Sequence, residues 1–132
     1  TTTHEEPVDN KLGYQPTASW FTRRAMESWA YFVDAFTKVK EGNGTLLDNV
    51  FIMATTDHGY ARVHSLDHIP IFTAGRAGGQ VRTGLHIDGK GTTGCRVGYT
   101  ALRLMGVDKP SWGVNSNNTS QEIGEILVSR LS

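Results

Sequence analysis

Val50-Phe51-Ile52-Met53-Ala54-Thr55-Thr56-Asp57-His58-Gly59 decides the reading of this chain. Residues 50–54 form an unbroken apolar run, rich in β-branched and aromatic side chains. Such a run predicts a short strand buried on both faces, as in a parallel sheet. A carboxylate and an imidazole follow where that strand should end. In open α/β sheets, ligands bind at the carboxyl ends of strands. Asp and neutral His are also common ligands of divalent cations. The stretch therefore predicts a chemical site at a sheet edge, and a metallic one, since both side chains suit a cation.

The sequence upstream fits a helix feeding that strand. Ala18, Phe21, Ala25, Trp29, Phe32, Phe36 and Val39 recur every three or four residues, the apolar stripe of an amphipathic helix over residues 18–39. Thr17 is the expected N-cap, and Gly42 and Gly44 are the expected stop. Downstream, residues 69–74 read as a second strand, with Pro70 near its start. Residues 80–83 suit a short strand, residues 97–105 a helix, and residues 120–131 a further short helix. Helix, turn and buried strand make half of a βαβ unit. The expected architecture is the C-terminal portion of an α/β/α sandwich with a mostly parallel sheet, incomplete on its own. Residues 1–132 form one domain or a domain fragment. A remainder of the same protein, or another chain, would complete the sheet.

Composition narrows the function classes. Thirteen basic and thirteen acidic residues balance to a formal net charge of zero. No electrostatic argument for nucleic acid follows, and no apolar run is long enough for a membrane span. A single cysteine, Cys95, rules out an internal disulfide and a cysteine-cluster metal site. Gly75, Gly78 and Gly79 match neither a P-loop nor a dinucleotide fingerprint, so they read as a turn.

Three of the five histidines, His58, His64 and His68, fall within residues 57–68 together with Asp57 and Asp67. A loop joining two strands can bring such groups onto one cation from different directions. The bland alternative is that Asp57 and Asp67 cap turns and the histidines are solvated. Clustering favours His58 and His64 as ligands over His68 and His86.

These residues carry a resemblance. Leu47-Asp48-Asn49, the apolar strand, Thr56-Asp57-His58-Gly59, and His64 five residues before Ile69-Pro70-Ile71 resemble the C-terminal half of the alkaline phosphatase superfamily, which includes sulfatases. Ala74-Gly75-Arg76-Ala77-Gly78-Gly79 and Thr83-Gly84-Leu85-His86 resemble an uncharacterised family of exported bacterial proteins within it. The resemblance implies a metal-dependent hydrolase acting on small anionic substrates, phosphate or sulfate esters. It implies a divalent metal, zinc, manganese or calcium, with Asp57 and His58 on one ion and His64 and His4 on the other. The nucleophile would come from an N-terminal half not included in these residues. It also implies export to the periplasm or beyond. The competing expectation is a non-catalytic exported domain that keeps the fold for binding or assembly.

Overall fold

The computed structural model describes residues 5–128. The predicted helix near the start is present as α1, Pro16–Thr37. Its first-turn amides are held from a distance: Thr17 N and Ala18 N donate to the two Glu6 carboxylate oxygens at 2.9 and 2.8 Å. A carboxylate at a helix N-terminus satisfies orphan donors and faces the positive end of the helix dipole. Hydrogen bonds with Thr17, opposed by a desolvation contribution, leave the Glu6 carboxyl below its ordinary value. Gln15, not Thr17, is the N-cap residue, and Pro16 occupies the first turn, where its missing N–H costs nothing.

A small hairpin follows. Strands β1, Lys40–Glu41, and β2, Gly44–Thr45, pair antiparallel, with Gly42 turning at φ +56°. The short helix α2, Leu46–Asn49, begins where the Asp48 carboxylate accepts from Thr45 N at 2.8 Å and Thr45 Oγ1 at 3.0 Å. Strand β3, Ile52–Thr55, then pairs with β4, Ile71–Ala74. The register sets Ile52 against Ala74 and Thr55 against Ile71.

That pairing is antiparallel, which corrects the expected α/β/α sandwich with a mostly parallel sheet. The described residues hold three α-helices and two antiparallel two-stranded sheets. The physical reason lies in the connection. A parallel neighbour needs a crossover, usually an α-helix. Between β3 and β4 there is only a loop carrying the 3₁₀ turn Ala61–Val63, so the chain folds straight back. Nor is β3 buried on both faces: Ile52 and Ala54 are half-buried, while Met53 and Thr55 are exposed. Residues 80–83 contribute a single bridge, Val81 to Leu127, rather than a strand. The helix expected over residues 97–105 is α3, Cys95–Leu104. Of the helix expected over residues 120–131, the described part is a 3₁₀ turn at Gly124–Ile126; residues 129–131 lie outside the described residues.

The core sits away from α1. Ala77, Val81 and Ile126 are buried together, with Phe51, Leu104 and Ile123 packed against them. Thr100 is fully buried and fully satisfied. Its Oγ1 donates to Arg96 O at 2.7 Å and accepts from Ile123 N at 2.8 Å, tying α3 to the C-terminal segment. Thr100→Val keeps the shape but leaves the Ile123 N–H unpaired. Urea unfolding should show a loss of about 1–3 kcal/mol. A loss near zero would mean that this hydroxyl is not what joins the two segments.

The glycine-rich stretch after β4 is a clasp on the end of α2. Arg76 N, Ala77 N and Gly78 N donate to the carbonyls of Leu47, Val50 and Asp48 at 3.1, 2.9 and 2.8 Å. Gly75 adopts φ +91° in that approach, and a Cβ there would stand 2.2 Å from Val50 O.

Candidate functional site

The loop from Thr56 to Pro70 begins at the carboxyl end of β3. Thr56 Oγ1 donates to His58 O at 2.7 Å, bending the backbone as the strand ends. Asp57 and His58 would point apart in a continuing strand. Here they meet: His58 Nδ1 lies 3.2 Å from Asp57 Oδ1. The Asp57 side chain is almost wholly exposed, whereas His58 is about three-quarters covered.

Electrostatics follow the geometry. The Asp57 carboxyl is held below its ordinary value, first by its own backbone amide, then by the hydrogen bond and the charge of His58, with a smaller contribution from His64. A depressed carboxyl contributes stability that is complete above the unfolded value, about pH 4. That contribution is lost as pH falls through the lower folded value. The Asp57 contribution to the 57–68 loop should therefore be lost as pH falls below about pH 4. The Asp57 carboxyl ¹³C shift in an acid titration checks this; an inflection at or above the ordinary carboxylate value would contradict it.

His64 enters from the far side of the loop. Gly59 N donates to Ser65 O at 2.9 Å and Ser65 N to Tyr60 O at 3.1 Å, closing a narrow neck. Within that neck His64 takes a left-handed φ of +50°. This lays its ring against His58, with centroids 4.7 Å apart and planes inclined by 37°. His residues are among the few non-glycine types enriched in that region, and such strained positions concentrate at functional sites. The neck is possible because residue 59 is glycine. A Cβ there would lie 1.8 Å from Asp67 O.

The remaining candidates stand apart. His68 also has a left-handed φ, +55°, but it forms no described contact with the Asp57–His58–His64 group. Asp67 is exposed, and its amide donates to Ser65 Oγ at 3.1 Å. His86 is exposed in the loop after Val81. His4 lies outside the described residues. Cys95 is partly buried in the first turn of α3.

The loop thus brings together a carboxylate and two imidazoles, each able to donate to a hard or borderline cation. Among the described residues, no group of three or more His, Cys, Asp or Glu side chains has the arrangement needed to hold a metal ion. Asp57, His58 and His64 do not by themselves make such a group. The arrangement has one chemical consequence of its own. With Nδ1 of His58 facing Asp57, Nε2 lies on the opposite edge of the ring, the relation a carboxylate often has to a metal-binding histidine.

No helix among the described residues is long and apolar enough to cross a membrane. No family model, no curated protein and no solved structure matches this chain.

Proposed function

We propose that Asp57, His58 and His64 form one side of a divalent-metal site, in a protein that hydrolyses phosphate or sulfate esters. The observation that carries this reading is the convergence of one carboxylate and two imidazoles in a loop at the carboxyl end of a strand. The likeness of Thr56-Asp57-His58-Gly59 and His64 to alkaline-phosphatase-like proteins supports the choice of reaction, and the proposal of an exported location rests on that likeness alone. A zinc, manganese or calcium ion held by these residues would supply Lewis-acid chemistry for ester hydrolysis. In this chain His58 presents Nε2, Asp57 fixes the ring from behind, and the narrow neck at Gly59 keeps His64 in place. The nucleophile, His4 and the other ligands belong to segments beyond this group.

The test is zinc binding by the chain, measured by competition with a chromogenic chelator. Asp57→Ala and His64→Ala should each weaken binding by about 10–100-fold. Unchanged affinity in both variants would remove the site.

A second reading, a binding or assembly domain without catalysis, is favoured by a different observation. The chain exposes 9795 Å² of surface, whereas a folded monomer of 14.5 kDa exposes roughly 6,900 Å². On this reading the extra surface docks against other polypeptide, and chelators leave the function untouched.

A further inference from the structure

The β1–β2 hairpin turns on Gly42 and Asn43. Gly42 stands at φ +56°, the glycine-first geometry of a tight hairpin turn. Lys40, Glu41, Gly42 and Asn43 are all exposed, and nothing lies within 4 Å of the Cβ position on Gly42. No hydrogen bond holds the Asn43 side chain among the described residues. Of the six asparagines, Asn43 alone precedes a glycine. Without a side chain to restrict it, the Gly44 amide can swing onto the Asn43 side-chain carbonyl. The fold keeps a glycine at that position. A Cβ on residue 44 would lie 2.7 Å from Asp48 Oδ2, the carboxylate of the capping box that starts α2. Other asparagines are engaged: Asn49 donates to Glu41 Oε2 at 2.6 Å and Asn118 to Gly113 O at 2.9 Å. The β-branched Val50 and Thr119 follow them.

We propose that Asn43 is a site of spontaneous modification, where Asn43-Gly44 converts to aspartyl and isoaspartyl forms, and that the isoaspartyl form loosens the clasp on α2. The Gly44 amide proton goes to hydroxide, and the nitrogen attacks Asn43 Cγ. A C–N bond forms and the Cγ–Nδ2 bond breaks. The leaving nitrogen takes a proton from water and departs as ammonia. Water then opens the succinimide. Opening at Cγ leaves an aspartyl residue. Opening at the main-chain carbonyl leaves an isoaspartyl residue, whose backbone runs through Cβ and Cγ and is longer by one atom. Water is the only co-reactant. Gly44 pairs with Glu41, so the reaction runs from the opened hairpin. Opening is easy, because so short a hairpin is marginal by itself and exposed segments open far below the cost of global unfolding.

The longer backbone has a definite consequence. Thr45 N and Oγ1 both donate to Asp48, and the carbonyls of Leu47 and Asp48 accept from Arg76 N and Gly78 N. An extra atom at residue 43 displaces Thr45 from Asp48 and slackens the helix that the clasp grips. The site is separate from the Asp57–His58–His64 loop.

The test is incubation of the full chain in mildly alkaline buffer, with mass spectrometry of the tryptic peptide 41–62. Aspartyl and isoaspartyl forms should accumulate at residue 43, faster as pH rises, while Asn49 in the same peptide stays intact. Asn43→Gln, whose longer side chain closes a less favourable ring, should abolish the conversion. In the isoaspartyl chain, separated by ion exchange, hydrogen exchange at Arg76 N and Gly78 N should rise about tenfold, the scale of a lost helix cap. Asn43→Asp adds the charge without the extra atom and should leave that exchange unchanged. Conversion at Asn43 no faster than at Asn49 would overturn the proposal. So would unchanged exchange at Arg76 and Gly78 in the isoaspartyl chain.

Discussion

Gly75→Ala is expected to cost about 2–6 kcal/mol, a large part of the 5–15 kcal/mol that holds a domain of this size together. Two effects add. The residue stands at φ +91°, where an L side chain carries strain of about 1–3 kcal/mol. The new Cβ also meets backbone, 2.2 Å from Val50 O and 3.1 Å from Leu47 O, and forced overpacking costs about 1–3 kcal/mol. The backbone has little room to yield, because the next three amides are bonded to the carbonyls of Leu47, Val50 and Asp48. Gly78→Ala separates the two effects. Gly78 also has a positive φ, +67°, but nothing lies within 4 Å of its Cβ position. Only the conformational cost, about 1–2 kcal/mol, should appear there. Urea unfolding of both variants checks the difference; equal losses would contradict the clasp.

Gly59→Ala is the second large effect, and it is local. Its Cβ would lie 1.8 Å from Asp67 O and 3.2 Å from the carbonyl carbon of His68. The two sides of the 57–68 loop must separate, breaking the Gly59 N to Ser65 O bond. The cost is about 1–3 kcal/mol by the same overpacking logic. The core around Val81 and Ile126 is made by other segments and should survive. The expected result is loss of the His58–His64 ring contact and at least a tenfold fall in zinc affinity, with methyl signals of Val81 and Ile126 unchanged. Retained zinc affinity would mean that the neck does not position His64.

The sequence foretold elements better than their arrangement. The apolar run at residues 50–54 located β3 within a residue or two, and the 3–4 spacing located α1. Neither pattern contains the direction of the neighbouring strand. That information was present in another form: residues 56–70 have no amphipathic helix, and without a crossover the return strand is antiparallel. The stripe on α1 was legible in part: Ala18, Trp29 and Phe36 are half-buried as the spacing predicts, whereas Phe21, Ala25 and Phe32 are exposed. The Glu6 cap could not be seen, since it reaches α1 from eleven residues away from Thr17.

At the site, Asp57 and His58 were legible from residue type and strand position. Their pairing with His64 was legible only as clustering. It depends on a left-handed His64 and a close backbone approach at Gly59, both set by the folded loop rather than by spacing. His68, equally near in sequence, falls outside the group for the same reason.

The most direct test of the metal half-site is a zinc titration followed by ¹⁵N signals of the histidine rings. His58 and His64 should shift together and saturate together, with His58 coordinating through Nε2, while His68 and His86 stay in place. Saturable zinc binding at His68 or His86, with His58 and His64 unmoved, would contradict the account.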